Sequence, residues 1–314
     1  MVFGIPDFRV FPDPYIGFEQ DYAKAGRLLE RTRACDFEGV LRAYWNMTPE
    51  VEPQRAERFI QHALALKHRA AQSLRVMDRL AASQLEDASF LDVGCGTGGV
   101  LLAARERFRT VVGYDIAFRW LVVAQRQLQE NGLDVPLVCG CAEYLPFPNS
   151  SFTTVVAVDL IEHVSDQRRA LTEMQRVMTD DGVLFLTTPN RLAPGPDPHV
   201  RVWGLGYLPR RLMPAYVRVV KGVPYRFIRT LSYFELSRLL RASGFRIEAS
   251  TLPVIPEQQR KTLKWWEQWL LKAYERLRRV PPLRKALYLL GPGFELLVRK
   301  DQSHPYDKAE LTQA

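Results

Sequence analysis

The chain begins with helical periodicity and switches to short apolar runs. From Glu19 to Trp45 apolar residues recur every three or four positions, at Leu28, Leu29, Phe37, Val40, Leu41 and Tyr44. Thr48-Pro49-Glu50 interrupts the pattern, with the proline suited to a turn or a helix start. A longer helical pattern runs from about Gln54 to Leu85 through Phe59, Ala63, Leu66, Ala70, Leu74, Met77 and Leu80. No strand pattern precedes Phe90, so residues 1–86 read as an N-terminal helical segment covering a pocket, led by an extended Pro-, Phe- and Asp-rich arm over 1–18.

Beyond Phe90 the period changes. Strands are predicted at Phe90–Val93, Thr110–Tyr114, Pro136–Gly140, Thr153–Asp159 and Val183–Thr187. Helices are predicted between them at Gly99–Arg107, at Arg119–Glu130, and from Val164-Ser165-Asp166 through Val177. The run Val155-Val156-Ala157-Val158 is the continuous apolar signature of a strand buried on both faces. Asp180-Asp181-Gly182 reads as the turn into strand five. Strands alternating with helices predict an α/β doubly wound sheet. A long proline-rich connection then spans 188–229, followed by a helix over Leu231–Ser243, a strand over Phe245–Ser250 and a last strand over Phe294–Lys300. A basic amphipathic helical stretch at 257–292 separates those two strands, and 301–314 reads as a flexible tail.

Composition narrows the classes. The chain of 314 residues is 47% hydrophobic and 25% charged, enough for a real core. Its net charge of +8 favours an anionic partner without choosing among nucleic acid, membrane and phosphorylated substrate. Cys35, Cys95, Cys139 and Cys141 form neither a disulfide framework nor a CxxC zinc pair. No signal peptide and no apolar run of spanning length is present, which predicts a cytoplasmic protein.

The chemistry concentrates between Phe90 and Asp115. An apolar strand meets Gly94, Gly96, Gly98 and Gly99, a helix follows, and a second strand ends on Asp115, 17 residues after Gly98. Glycines let the backbone approach a ligand closely, and an acid at the end of strand two can accept both hydroxyls of a ribose. With Asp92 two residues before the first glycine, the segment resembles the class I (Rossmann-like) S-adenosylmethionine-dependent methyltransferases of small-molecule type. The resemblance covers about 90–300 and implies a seven-stranded, mostly parallel sheet with an antiparallel last strand. It implies S-adenosyl-L-methionine as cofactor, held by Asp92, Gly94, Cys95, Gly96, Gly98, Asp115 and Ile116. By the same resemblance Ala142 and Glu143 lie beside the adenine, and Asp159 and Leu160 under the methionine part. Cys95 reads as a small filler, because methyl transfer needs no covalent intermediate.

A hydroxyl acceptor needs a base. His199 and His163 are the candidate catalytic residues, since an imidazole titrates in a suitable range. Asp159, Glu162 and His163 resemble the Glu-x-x-Glu-His triplet of the ubiquinone-biosynthesis O-methyltransferases, which implies a divalent ion. The shorter Asp at the first position, also wanted by the cofactor, argues against it, and no metal ligand is assigned. Residues 225–245 and Thr188-Pro189-Asn190-Arg191 resemble the same enzymes, and no Asn-Pro-Pro-Tyr type motif follows strand four. A small hydrophobic or lipid-like acceptor methylated on oxygen is therefore expected, in a site that Phe11, Tyr15, Phe18, Tyr44 and Trp45 could line. Alternatives are methylation of a ring or enolate carbon, an RNA methyltransferase, and a non-catalytic cofactor-binding protein.

Residues 257–292 hold nine basic and three acidic residues, a net of +6. Leu263, Trp266, Leu270, Ala273 or Tyr274, and Leu277 fall on one helical face, with Lys264, Glu267, Lys272, Arg276 and Arg279 away from it. Trp265, Trp266 and Trp269 beside Lys and Arg resemble an interfacial helix. This predicts peripheral contact with an anionic membrane through 257–292, against the plainer reading of a helix packed on its own domain. Nucleic acid is a poorer fit, and the pattern is silent on oligomeric state.

Overall fold

The computed structural model describes residues 1–81, 89–253, 260 and 265–302. The expectations for 82–88, for Leu263 and Lys264, and for the tail beyond 302 lie outside them. Seven strands form one sheet in the order β3-β2-β1-β4-β5-β7-β6. They are β1 (Ser89–Val93), β2 (Thr110–Asp115), β3 (Leu137–Cys139), β4 (Phe152–Val158), β5 (Met178–Pro189), β6 (Phe245–Thr251) and β7 (Gly293–Lys300). The first five pair in parallel, and β7 runs antiparallel to both β5 and β6. Val155, Val156 and Ala157 of β4 are fully buried, as the unbroken apolar run requires.

Two strand readings change. Asp180-Asp181-Gly182 does not end an element: β5 passes through it, and the extra residues are absorbed as an irregularity between the pairs Phe152↔Met178 and Thr154↔Val183. The N-terminal arm also joins the sheet. Cys139 donates its N–H to the Pro6 carbonyl and accepts from the Phe8 N–H, both at 2.8 Å, so the arm covers the open edge of β3.

The N-terminal helices are α1 (Phe18–Thr32), α2 (Phe37–Asn46) and α3 (Pro53–Ala81). One helical pattern became two because Asp36 caps α2, its carboxylate accepting from the Gly39 N–H. Leu28, Val40, Leu41, Leu74 and Met77 share a core with α4 (Gly99–Arg105) and α5 (Phe118–Glu130). Gly99 lets α3 cross α4 closely, since a Cβ there would meet the Leu66 Cβ at 2.4 Å. Phe59, expected inside, is 42% exposed and instead stacks flat on Trp45.

The opposite face of the sheet carries α6 (Gln167–Val177) and α8 (Tyr233–Ala242), the latter opened by a reciprocal Ser232–Glu235 capping box. Between them, α7 (Met213–Lys221) sits on a small core of Val202, Leu205, Met213, Val217 and Tyr225. The basic stretch forms α9 (Trp265–Leu277) and α10 (Pro281–Leu290). Its inner face is turned from the expected one. Leu271 is buried and the Tyr274 hydroxyl donates to the Pro253 carbonyl, whereas Leu270 and Leu277 are exposed. No helix of the described residues is long and apolar enough to cross a membrane.

A buried ionic cluster fastens the arm and α1 to α5. Asp21 is fully buried and pairs with Arg9 at 2.6 Å and Arg119 at 2.9 Å. It also accepts the backbone N–H groups of Phe118 and Arg119, supplying from α1 the cap that Ala117 cannot give α5. We expect Asp21→Ala to remove one buried partner from each of Arg9 and Arg119, which keep Asp7 and Asp13, together with the cap of α5, and to lower stability by about 3–5 kcal/mol. Chemical denaturation of the variant beside the parent measures this.

Candidate active site

A cavity of about 380 Å³ opens at the C-terminal ends of β1 to β4, where the strand order reverses between β1 and β4. Its floor is the loop after β1. Gly94, Gly96 and Gly98 all adopt positive φ, a conformation that L side chains rarely take. Added Cβ atoms would meet Leu160 at Gly94 and Ala124 at Gly98, but at Gly96 nothing lies within 4 Å. The chain therefore turns tightly at both ends and presents open backbone in the middle, as a cradle does.

Asp115 ends β2 in the cavity wall and is nearly buried. One carboxylate oxygen accepts from the Gly96 N–H at 2.8 Å, the other from the Ala117 N–H at 2.7 Å. Burial pushes its pKa up to about 6, with those two bonds pulling the other way. Asp92 lies beneath the loop, and neither of its buried carboxylate oxygens has a hydrogen-bond partner. Burial first, then the neighbouring Asp115, raise its pKa to about 8. A buried orphan carboxylate next to an open glycine cradle suits a cationic ligand, so these residues fit a sulfonium compound.

The other walls come from neighbouring elements. Ile116, Ala142, Glu143, Asp159 and Leu160 line the cavity, with His163 at one side. The Glu143 carboxylate also accepts from the N–H groups of Ser165 and Asp166, which ties the loop after β3 to the start of α6. Asp159 holds φ +51° at the end of β4, braced by the Thr187 hydroxyl at 2.9 Å. Asp92, Cys95, Gly98 and His199 are not lining residues: Asp92 lies behind the glycine loop, Cys95 and Gly98 belong to the loop but face away from the cavity, and His199 lies beyond His163. Phe11 and Tyr15 of the arm do line the cavity. Phe18, Tyr44 and Trp45 do not: Tyr44 and Trp45 face the helical core, and Phe18 lies under the Arg9 guanidinium.

Several wall residues carried no signal in the sequence. Asp13, Arg119 and Trp120 line the cavity, with Arg119 drawn there by its pairs with Asp13 and Asp21. An Arg in the first turn of an amphipathic helix looks like any solvated cation until the acids that meet it are known.

Beside His163 lies a second polar group. The His163 and His199 rings meet edge to face with centroids 5.0 Å apart. His199 Nδ1 is 3.4 Å from Asp197 Oδ1 and its Nε2 is 4.0 Å from Glu162 Oε1. Glu162 is buried, accepts from the Thr188 hydroxyl with one oxygen and has no partner for the other. Burial, then Asp159, raise its pKa far above the usual carboxylate range. Burial also lowers His163 to about 4, and His199 adds to the shift, so the His163 ring is neutral at physiological pH. Asp197 is low despite burial, because the His199 ring lies beside it and it accepts from the backbone N–H groups of His199 and Val200. Glu295 on β7, pushed up to about 7 by burial, adds a further acid near Asp159. Its strand alternation concealed it in the sequence. Glu162, His163 and His199 each place one donor atom within 4.8 Å of the others, so these three residues could hold a divalent metal. The triplet that the sequence suggested shares Glu162 and His163, but His199 rather than Asp159 completes this group.

The acids of the loop carry a pH signature. A carboxyl whose folded pKa is raised keeps its proton in the fold, so the associated stability is full below about 4 and is lost as pH rises through the folded value. For Asp92 that window closes near pH 8. The ligand-free protein should therefore melt at progressively lower temperature from pH 5 to pH 8. Asp92→Asn should flatten that slope and melt several degrees higher than the parent at pH 8, as thermal scans across the range would record.

Comparison with known proteins agrees with this geometry. Residues 91–186 match the family described as a methyltransferase domain. An uncharacterized protein of Methanocaldococcus jannaschii is 33% identical over 119 residues, covering 37% of this chain and 44% of that protein. A ubiquinone biosynthesis O-methyltransferase of Parvibaculum lavamentivorans is 31% identical over 116 residues, 37% of this chain and 46% of that one. The chain thus spans about half the length of these curated relatives. The crystal structure of a Bacillus subtilis protein is 22% identical and covers 73% of this chain and 95% of its own, with a TM-score of 0.45. The matched domain coincides with the strand, glycine loop and Asp115 that build the cavity, so the segment of this chain that forms the cavity floor is similar to a methyltransferase domain.

Proposed function

We propose that this protein transfers the methyl group of S-adenosylmethionine to an oxygen of a small hydrophobic or lipid-like metabolite, with His199 as the base. The observation that carries the reading is the His199 imidazole held between Asp197 and Glu162, one ring beyond the cavity wall at His163. The cofactor supplies an activated methyl on a positive sulfur. This chain's residues would hold and align it: Gly96 leaves backbone open, Asp115 would meet the ribose, and the neighbouring acids would offset the sulfonium charge.

An acceptor hydroxyl that reaches past His163 would give its proton to His199 as the methyl arrives, and Asp197, 3.4 Å from its Nδ1, would stabilise the imidazolium that results. His163, kept neutral by burial, serves better as the wall that sets the ring angle of His199 than as a second base. Leu160, Phe11 and Tyr15 give the acceptor an apolar surround. The partial likeness to a ubiquinone biosynthesis O-methyltransferase supports an oxygen acceptor on a hydrophobic molecule. A second reading rests on the same three donors: Glu162, His163 and His199 would hold a divalent ion, which would lower the acceptor's pKa so that water could take its proton without a side-chain base.

The test is transfer of labelled methyl from S-adenosylmethionine into a cell extract, partitioned between organic, aqueous and macromolecular fractions. Label in the organic phase is expected; label confined to RNA or to water-soluble metabolites would sink the acceptor assignment. His199→Ala should cut turnover about 10²–10³-fold while leaving cofactor affinity within about twofold. Loss of activity to a chelator, restored by added divalent ion, would decide for the metal reading. Asp115→Asn should instead weaken cofactor binding tenfold or more, measured by calorimetry.

A further inference from the structure

The connection after β5 has an unusual charge and surface. Between Asp197 and Glu235 there is no acidic residue, while Arg201, Arg210, Arg211, Arg218, Lys221, Arg226 and Arg229 are basic, which is seven positive charges with no negative one. The helix at its centre, α7, buries Met213 and Val217 and leaves apolar side chains on the outside as well. Val219 is 85% exposed, and Leu212, Tyr216 and Val220 are exposed with it. These four stand at helical spacing, so they form a stripe rather than scattered surface residues. Arg211, Arg218 and Lys221 are exposed beside them.

A second element continues this face. The Tyr216 hydroxyl donates to the Trp203 carbonyl, the Trp203 ring lies 5.4 Å from that of Trp266, and Arg201 pairs with Glu267. The pairing joins α7 through Trp203 to α9, whose Trp265 and Trp269 are 82% and 67% exposed. Lys272 and Arg276 are exposed on the same helix. Large apolar side chains and cations are thus exposed on both helices, which Trp203 links through Tyr216 and Trp266.

We infer that this surface docks on an anionic lipid bilayer, with the α7 stripe and the α9 tryptophans entering the headgroup layer and the basic side chains meeting lipid phosphates. Three occupants compete. Nucleic acid would satisfy the cations, but the aliphatic side chains Leu212, Val219 and Val220 gain nothing from stacking on bases. A second copy of the chain would press two faces of like charge together. A bilayer with anionic headgroups satisfies both the charge and the aliphatic surface.

The location adds a consequence. The same connection carries His199, and Phe227 near its end meets the Tyr15 ring at the cavity wall, 5.7 Å between centroids. Docking would therefore hold the candidate site close to the lipid from which a hydrophobic acceptor would come. That consequence rests on the proposed acceptor class; the docking itself does not.

The experiment is co-sedimentation of the full chain with phosphatidylcholine vesicles, with and without about one-third phosphatidylglycerol, in the absence of cofactor and acceptor. Binding at least tenfold tighter to the anionic vesicles, weakening as salt rises, is expected. The double variant Val219→Glu, Val220→Glu and, separately, Trp269→Ser should each weaken it about tenfold, with thermal midpoints close to the parent's because these side chains are exposed. No preference for anionic vesicles, or binding untouched by both variants, would overturn the inference. So would a dimer that the valine variant dissolves, or RNA binding that both variants weaken in parallel. Because no methyl transfer is read, failure here leaves the proposed chemistry standing, and failure of the extract assay leaves the docking standing.

Discussion

The Asp115 carboxylate joins the turn after β1 to the start of α5. One oxygen accepts from Gly96 in the turn that leaves β1, the other from Ala117 at the entrance to α5. The Tyr114 carbonyl accepts in addition from the N–H groups of Gly94 and Cys95. The ends of β1 and β2 are thereby fixed to one another at the floor and wall of the cavity. The cost is a buried carboxylate with a raised pKa, tolerable because charge-assisted bonds to two N–H groups offset part of the desolvation.

The site extends this logic to neighbouring acids. Asp92, Glu162 and Glu295 all lie in surroundings that disfavour their ionised forms. A fold built only for stability would have little reason to keep orphan carboxylates at the ends of β1, β4 and β7, since a buried polar group without a partner is expensive. A cationic ligand lowers that expense on binding. The positive φ of Asp159 lies in the same region and is braced by Thr187 from the adjoining strand, so the strain is held by the sheet itself.

The N-terminal arm shows how a segment without regular structure becomes part of a site. It pairs with Cys139 at the sheet edge, places Arg9 against Asp7 and Asp21, and then delivers Asp13 and Tyr15 to the cavity. Asp21 in turn starts α5, the helix that carries Arg119 to the same wall. One buried ionic cluster thus sets the arm, the first helix and one side of the pocket together.

The sequence by itself determined what depends on local period and local backbone geometry. The strands, the helices between them, the glycine loop and Asp115 were legible because apolar alternation and positive-φ turns are properties of neighbouring residues. The lining roles of Gly94, Gly96, Ala142 and Asp159 followed, since in a parallel sheet the C-terminal strand ends share one edge. Tertiary structure alone decided the rest. His199 meets Glu162 only because β5 and its connection return across the end of β4, and Glu295 reaches the same edge because β7 inserts beside β5. Arg119 became a pocket residue when Asp21 and Asp13, about a hundred positions earlier, were packed against it. The inner face of α9 followed Leu271 and Tyr274, because a helix apolar on several sides takes its orientation from the contact it finds, here the Pro253 carbonyl. Periodicity shows that a face exists; only packing selects which face is covered.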